Sequence, residues 1–416
     1  MSEAEPQSSS RMTPYQKRLF LFLSVATFFE GYDFMAVSQI LRPLRLDFGL
    51  DQAQGGQMLS VINVGTVLAF FLVRYADKWG RKRLLTLTIA GYTVATLASG
   101  LAPEVYSFTF FQLIARIFLI GEWATSVILI SEEFPSHQRG MVIGFIQGFS
   151  SLGSIMCAGV AKPLADTTFG WRAVYIVAVV PLVILAVARR GLKESRRFEE
   201  LKEQRASEPR RNLFHIWGTP YRTRMLQVAL IWGLTYLCTN TAISFWRDFV
   251  VTEGRLTNGQ AGNAIIVAAV GSMPLVFGAG KVLDLFGRKL GALGIFGLAA
   301  LGVILSYSLE GFWPLALSLV FAIFGASAVL PVLNAFTTEL FPTDLRGDAF
   351  AWCNNLIGRI GYVIGPGLFG FLAREAGSYE RPMQLSTLGP LLALMLIFLW
   401  LPETKNRELE DTAQLT

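Results

Sequence analysis

The segment Asp77–Lys82, which reads DKWGRK, recurs 207 residues later as DLFGRK at Asp284–Lys289. A second pair of segments repeats at the same offset, because Glu132–Gly140 (EEFPSHQRG) matches Glu339–Gly347 (ELFPTDLRG). Two separate landmarks at one offset indicate that the chain consists of two repeated halves.

The sequence around these landmarks is too apolar for an ordinary soluble protein. Of its 416 residues, 53% are hydrophobic and only 16% are charged, with a mean hydropathy of +0.47. A membrane-spanning helix needs about 20 mostly apolar residues, and a chain of this length and composition can form many such helices. The composition therefore argues against a soluble enzyme, a secreted disulfide scaffold and a nucleic-acid binder. We predict twelve spans, at 18–41, 55–75, 84–103, 105–131, 139–162, 171–189, 224–250, 259–283, 288–309, 311–338, 346–373 and 384–402.

Positive charge in the loops predicts the topology. With both termini in the cytoplasm, 26 Lys and Arg residues fall on the cytoplasmic side and 8 on the outer side, as short loops that retain basic residues require. Six spans per half return the chain to the same side, so the halves are parallel repeats. The predicted fold is an all-α membrane protein with twelve transmembrane helices in two pseudo-symmetric six-helix lobes. Its predicted parts are an N-terminal tail (1–17), two lobes (18–189 and 224–402), a central loop (190–223) and a C-terminal tail (403–416), the tails and loop all cytoplasmic.

The paired DKWGRK and DLFGRK segments resemble the signature of the major facilitator superfamily, and the resemblance covers essentially the whole chain. Glu194-Ser195 and Pro402–Lys405 are similar to the endings of sugar porters. Three further segments look more like metabolite/proton and aromatic-acid/proton symporters: Glu30–Phe34, Gly121–Trp123 and Gly358–Gly361. The resemblance implies a secondary transporter in a plasma or inner membrane that works by alternating access.

Carboxylates inside the predicted spans are the candidates for proton coupling, because both histidines fall in predicted loops. Ionisable groups at membrane depth cost several kcal/mol each and need a reason. Asp33 is the first candidate, and Glu30, three residues earlier on the same helical face, can share a proton with it. Glu122 is the third. The alternatives left open are a hydrogen bond from Asp33 to a neighbouring helix and a packing role for Glu30.

Two arginines inside the spans favour an anionic substrate. Arg116 and Arg359 fall in opposite halves, and a guanidinium can bind a carboxylate through two parallel hydrogen bonds. The open alternatives are a fixed ion pair between Arg116 and Glu122, and satisfaction of Arg359 by backbone carbonyls or by Asn354 and Asn355.

Helical spacing adds further candidates for substrate contact. Trp352 and Asn355 share a predicted face with Arg359, and Tyr32 precedes Asp33. Other aromatic residues within spans, such as Tyr236 and Tyr362, are expected mainly to make core or lipid contacts. The glycines of the fifth and eleventh spans are expected to permit close helix approach: Gly140, Gly144, Gly148, Gly361, Gly365 and Gly370.

The repeated loop segments predict latches between helices at the cytoplasmic boundary, where an arginine of the first segment can bridge to a glutamate of the second. By resemblance, these latches hold the cytoplasmic side closed when the transporter faces outward. The predicted latch residues are Asp77, Gly80, Arg81, Glu132 and Arg139, with their copies Asp284, Gly287, Arg288, Glu339 and Arg346.

The sequence contains no phosphate-binding Gly-Lys-Ser/Thr loop, no His/Cys metal cluster and no nucleophile–base pair. We therefore expect a transporter without enzymatic activity, cofactor or metal, whose partners are a small solute, protons and lipid, with no nucleic acid, acting as a monomer. The predicted solute is an organic or aromatic acid anion, carried by proton symport. The alternatives are a sugar/polyol or drug transporter of the same superfamily, and a transporter-like receptor without net flux.

Overall fold

The computed structural model describes residues 12–74, 80–134, 136–188, 214–342, 345–405 and 412, without the side chains of 131, 132, 136–140 and 188. Twelve helical spans appear in this part of the chain, as predicted. They are α1 Pro14–Asp47, α2 Gln52–Arg74, α3 Arg81–Gly100, α4 Val105–Glu133, α5 Ser136–Ala165, α6 Arg172–Ala188, α7 Arg222–Thr252, α8 Asn258–Phe286, α9 Arg288–Ser308, α10 Phe312–Glu339, α11 Arg346–Ala376 and α12 Glu380–Trp400. Ten are long and apolar enough to cross a bilayer, the exceptions being α3 and the shorter α6.

The first helix is longer at both ends than the predicted span 18–41. It begins at Pro14, because the Thr13 hydroxyl accepts a hydrogen bond from the Gln16 backbone N–H (3.2 Å) and the Gln16 side chain accepts one in return. This reciprocal cap, with proline at the first helical position, is a strong helix start. Most of the predicted N-terminal tail and central loop, and much of the C-terminal tail, lie outside the described residues, so these domain boundaries stay predictions.

The two halves enter their third helices through the same turn. Gly80 and Gly287, which lie 207 residues apart, have φ values of 91° and 92° and directly precede α3 and α9. Such positive φ values favour glycine. The repeat read from the sequence is therefore also present in the backbone. We call α1–α6 the N lobe and α7–α12 the C lobe.

The hydrophobic core is continuous between the lobes on one side of the bundle only. We call the side where α1 begins and α12 ends the terminus side, and the opposite side the far side. In the far half, buried residues of both lobes, such as Phe108 and Phe249, belong to one cluster. In the terminus half, the lobes have separate cores, around Trp232 in the C lobe and around Leu129 in the N lobe. The lobes are therefore packed together on the far side.

The glycines that permit close helix packing inside the N lobe differ in part from those that the sequence predicts. A Cβ atom on Gly31 of α1 would lie 1.8 Å from the Ser150 carbonyl oxygen, and one on Gly153 of α5 would lie 1.8 Å from that of Phe28. The prediction for α5 was wrong at Gly144 and Gly148, where a Cβ would meet nothing within 4 Å.

Candidate functional site

Five ionisable side chains from both lobes form what we call the charge cluster. It consists of Glu30 and Asp33 of α1, Arg116 and Glu122 of α4, and Arg359 of α11. Glu30 is its centre, because the charges of the other four residues all act on it electrostatically. The structure thus brings together residues that the sequence predicts for proton coupling and for anion binding.

Arg116 lies almost fully buried, with 5% of its surface exposed. Its guanidinium carbon lies 5.5 Å from the centre of the Phe34 ring, and the described part of the chain provides no hydrogen bond or ion pair for it. The alternative of a fixed Arg116–Glu122 ion pair is therefore not observed. Gly65 allows this arrangement, because a Cβ there would lie 2.6 Å from the Leu113 carbonyl oxygen and 3.0 Å from Arg116 Cβ.

Arg359 in the C lobe likewise has no hydrogen bond or ion pair among the described residues. It is partly buried, its Nε atom has no hydrogen-bond partner, and among the described residues no side chain or carbonyl pairs with its guanidinium. Neither Asn354 nor Asn355 accepts a hydrogen bond from Arg359, so that alternative is not observed. Instead, the Asn354 side chain accepts a hydrogen bond from the Tyr236 hydroxyl (2.8 Å).

The backbone before Arg359 is π-helical from Ala351 to Gly358. Because a π-helix has more residues per turn than an α-helix, the α-helical spacing from which Trp352 and Asn355 were placed beside Arg359 does not apply. Trp352 packs against Trp217, with ring centroids 5.1 Å apart, and against Phe214 at 5.4 Å. The substrate-binding roles of Trp352 and Asn355 remain predictions.

Asp33 is the most buried carboxylate of the cluster, with 1% of its surface exposed. Neither carboxylate oxygen has a hydrogen-bond partner among the described residues, and the Tyr92 hydroxyl beside it donates to the Phe29 carbonyl oxygen (3.4 Å). Arg116 acts on Asp33 electrostatically without direct contact. An ionised carboxylate so placed is stabilised locally only by the charge of Arg116 and by the nearby Tyr92 hydroxyl.

Two other predicted residues are engaged within the N lobe. The Glu122 carboxylate accepts a hydrogen bond from the Thr88 hydroxyl (2.5 Å), and Glu122 is 5% exposed. Tyr32 is 4% exposed and donates its hydroxyl to the Val174 carbonyl oxygen of α6 (2.9 Å). Tyr32 is therefore packed inside the lobe, and its contact with substrate remains a prediction.

Two stacked tyrosines lie next to Arg359. The rings of Tyr236 (α7) and Tyr362 (α11) have centroids 4.0 Å apart and planes inclined by 23°. Tyr362 lies within electrostatic reach of both Arg359 and Arg116. Its carbonyl oxygen accepts a hydrogen bond from the Asn63 side chain of the N lobe (2.9 Å). Tyr362 thus lies near the arginines of both lobes.

Sequence reasoning missed a polar seam between the lobes on the far side. Arg45 of α1 forms an ion pair with Asp248 of α7, whose side chain is 1% exposed, and also donates to the Tyr379 hydroxyl (3.0 Å). The Tyr379 hydroxyl donates to Asp248 (2.8 Å), and Arg42 donates to Thr252 (3.3 Å). These interactions connect the two lobes. The signal in the sequence is the charged pair Arg247-Asp248 near the end of the predicted span 224–250.

All hydrogen bonds that join the two lobes, among the described residues, lie either at the centre of the bundle or on its far side. The most central is that of Asn63, and the others include Gly367 N–H to Ser60 (2.8 Å) and the Ser38 hydroxyl to the Ile243 carbonyl oxygen (3.1 Å). Together with the core that both lobes share there, they describe a molecule closed on the far side.

Replacing Asp248 with Asn is expected to loosen this closure. Loss of one partner of a buried pair costs about 3 kcal/mol, which shifts a two-state equilibrium about 100-fold. Reaction of a cysteine at Ser38 with a thiol reagent added from the far side measures the change, against a low background because Cys157, Cys238 and Cys353 are buried.

The matched control is Asp166→Asn, which removes the exposed partner of Lys162 on the same side of the bundle. We expect no change in labelling from this control. Equal labelling of the Asp248→Asn and unmodified backgrounds would show that the ion pair does not hold the far side closed.

On the terminus side, the C-lobe latch makes the contact that the sequence predicts. Arg288 donates to Glu339 (2.9 Å) and to Asp284 (3.1 Å). Arg346 donates to the Phe341 carbonyl oxygen (3.4 Å). In the N-lobe copy, Arg81 is buried, whereas Asp77 and the side chains of Glu132 and Arg139 lie outside the description. The gating role of both latches remains a prediction.

Glu403 in the C-terminal segment caps the latch helix α9. Partial burial disfavours its charged form, but hydrogen bonds from the backbone N–H groups of Lys289, Arg288, Lys405 and Thr404 lower the pKa of its carboxyl below the ordinary value. A carboxylate at a helix N-terminus is favoured in this way. The sugar-porter-like ending therefore joins the C-terminal segment to the start of α9.

A family model described as the Major Facilitator Superfamily matches residues 23–254 and 249–415. The chain is 27% identical to the "Probable 4-methylmuconolactone transporter" of Cupriavidus pinatubonensis, over 97% of this chain and 94% of that protein. It is 25% identical to the cis,cis-muconate transport protein of Acinetobacter baylyi, over 86% and 87% respectively. Its backbone resembles a crystal structure of a D-xylose-proton symporter with a TM-score of 0.76 and 20% identity, over 94% of this chain and 99% of that one.

Proposed function

Because the chain belongs to the Major Facilitator Superfamily, we propose that this transporter carries a small organic or aromatic acid as its anion, together with a proton. The observation that carries the proposal is the pair Arg116 and Arg359, one in each lobe, without a hydrogen bond or ion pair in the described part of the chain.

Unpaired arginines in the middle of a membrane protein are costly unless something binds them. A carboxylate that lies between the lobes can accept hydrogen bonds from either guanidinium, and charge-assisted bonds of this kind are among the strongest in proteins. The partly buried Tyr362 ring, held in place by its stack on the buried Tyr236, lies beside Arg359 and is a surface on which an aromatic or conjugated acid can pack. The proposed substrate therefore has a carboxylate and a planar, unsaturated body.

Proton coupling follows from competition for Arg116. When Asp33 is ionised, its negative charge partly balances the positive charge of Arg116 without direct contact. A substrate carboxylate that binds Arg116 takes over this role, and Asp33, which is buried without hydrogen bonds, then favours its protonated form. One anion binds with one proton, and the combined movement is electroneutral. Glu30 can share this proton with Asp33, and the charge of Glu122 acts on Glu30.

The relatives support an acid rather than a sugar. The two relatives described above are named for 4-methylmuconolactone and cis,cis-muconate, whereas the likeness to the xylose symporter is a likeness of fold at 20% identity. An uncharged sugar or polyol would leave both arginines without an ionic partner, which is the physical reason to prefer the acid.

We further propose that both termini lie in the cytoplasm and that the far side is the outside of a cell membrane. The excess of basic residues on the terminus side supports this orientation. The described conformation then faces inward, and the latches at Arg81 and Arg288 tighten when the lobes close on the cytoplasmic side. The charge cluster is assembled by one chain, which supports a functional monomer. A cysteine at Glu104 that reacts only with reagents inside the cell would overturn the orientation.

Uptake by purified protein in liposomes tests the proposed function. With an inward proton gradient, we expect accumulation of benzoate or nicotinate, unlike the matched neutral compounds benzamide, nicotinamide and D-xylose. A membrane potential set with valinomycin and potassium should leave monocarboxylate accumulation unchanged, since the proposed movement is electroneutral. Proton-driven accumulation of xylose without that of any carboxylate in a broad panel would refute the proposal.

A further inference from the structure

Arg247 is a further buried arginine, located in the far-side seam rather than in the charge cluster. It lies five residues before the end of α7, and 4% of its surface is exposed. Its hydrogen bonds go to three neutral acceptors: the Gln39 side chain of α1, and the side chain (2.7 Å) and carbonyl oxygen (3.4 Å) of Asn258. No carboxylate forms an ion pair with it in the described part of the chain.

The neighbouring Asp248 does not neutralise Arg247, because its carboxylate is already shared by Arg45, Tyr379 and Thr252. Two arginines of the seam, Arg42 and Arg247, form no ion pair with a carboxylate among the described residues. Arg45 is paired with Asp248, and Arg374 with Asp51 and Glu375.

The partners of Arg247 belong to different lobes. Gln39 lies in the N lobe, whereas Asn258 begins α8 and lies in the C lobe with Arg247. When the far side opens, Gln39 must move away with its lobe while Asn258 stays. The Nη1 group of Arg247 then loses its acceptor, and Nη2 remains fixed by Asn258. An arginine held in this way is oriented for a carboxylate at the newly opened mouth.

We propose that Arg247, held by Asn258, forms an anion-binding site that exists only when the far side is open and that receives the carboxylate of the incoming substrate. Gln39 occupies this site in the closed state with its side-chain oxygen. The site lies 11 residues along α7 from Tyr236, about 16 Å at the rise of an α-helix, and is therefore separate from the charge cluster. The inference rests on the proposed function for the identity of the anion.

A structural alternative treats the Gln39–Arg247 contact only as a lock between lobes. Two variants separate these ideas because they remove the same hydrogen bond from opposite ends. Arg247→Gln removes the cation, whereas Gln39→Ala removes only its acceptor. A lock predicts that both variants change transport in the same direction. The anion site predicts that Arg247→Gln raises the far-side KM and that Gln39→Ala does not.

The experiment measures KM for nicotinate, or for another carboxylate transported by the wild type, separately from the far side and from the terminus side of oriented proteoliposomes. We expect Arg247→Gln to raise the far-side KM about tenfold, equivalent to one lost charge-assisted interaction, and to leave the terminus-side KM unchanged. Gln39→Ala should leave the far-side KM equal or lower. Arg247→Lys, which keeps the charge but not the fork, should be intermediate.

Salt provides a second measurement. Far-side uptake by the wild type at low substrate concentration should slow as ionic strength rises, because salt screens the attraction between the unpaired Arg247 charge and the anion, and Arg247→Gln should weaken this dependence. Parallel shifts in Arg247→Gln and Gln39→Ala, or an unchanged far-side KM in both Arg247→Gln and Arg247→Lys, would overturn the inference while leaving the proposed function intact. A wild type that transports no carboxylate would instead refute the proposed function.

Discussion

Replacement of Asp33 by Asn is expected to abolish uphill accumulation of the substrate acid while exchange of substrate across the membrane continues. Asparagine is uncharged at every pH, so Arg116 then always lacks the negative charge of Asp33 and binds the substrate anion without a proton. Accumulation driven by an inward proton gradient and counterflow without a gradient, measured on the same proteoliposomes, separate the two functions.

Asp166→Asn is the matched control, because it removes an aspartate charge from an exposed ion pair (59% exposed at Asp166) and should leave both rates unchanged. Glu30→Gln is expected to weaken coupling less than Asp33→Asn, since Glu30 is more exposed than Asp33. Uphill uptake at the wild-type level in Asp33→Asn would remove this carboxylate from the coupling mechanism.

Replacement of Arg359 by Lys is expected to lower the apparent affinity for a carboxylate by about 10- to 100-fold, the equivalent of about 1.5–3 kcal/mol for a hydrogen bond to a charged group. Lysine retains the positive charge but has no planar fork for two-point binding. The Kd for nicotinate, measured by displacement of a radiolabelled acid from the purified protein, reports the change directly.

Arg374→Lys provides the control in the same helix. Arg374 is 43% exposed and contacts Glu375 on the far side, so the same chemical change there should leave the affinity unaltered. If Arg359→Lys bound carboxylates as tightly as the wild type, Arg359 would be a structural charge and the anion site would have to be sought elsewhere.

The repeat and the helical pattern predict most of the fold, because both depend on local chemistry. The DKWGRK and DLFGRK segments place Gly80 and Gly287 in equivalent turns with the same positive φ, and the spacing of the second landmark predicts the contact of Arg288 with Glu339. The sequence also predicts which charges are buried in the spans. It is the cost of an ionisable group in a bilayer that makes Glu30, Asp33, Arg116 and Arg359 conspicuous.

Local reasoning failed where tertiary contacts decide the outcome. The π-helical turn before Arg359 changes which side chains share its face, and no simple periodicity in residues 351–358 indicates it. Arg45 and Arg247 lie near helix ends, where charges are usually solvated, and only the meeting of the two lobes buries them. The sequence also could not predict which side of the bundle is closed, because both states use the same helices.

Proton uptake on substrate binding is the most direct test of the account, whose central claim is that one carboxylate anion and one proton bind together in the charge cluster. The measurement uses purified protein in weakly buffered detergent solution near neutral pH, with a pH-indicator dye and the carboxylate identified by the uptake experiment. We expect about one proton to be taken up per anion bound by the wild type and none by Asp33→Asn. Anion binding to the wild type without proton uptake, across the pH range in which transport is proton-driven, would contradict the account.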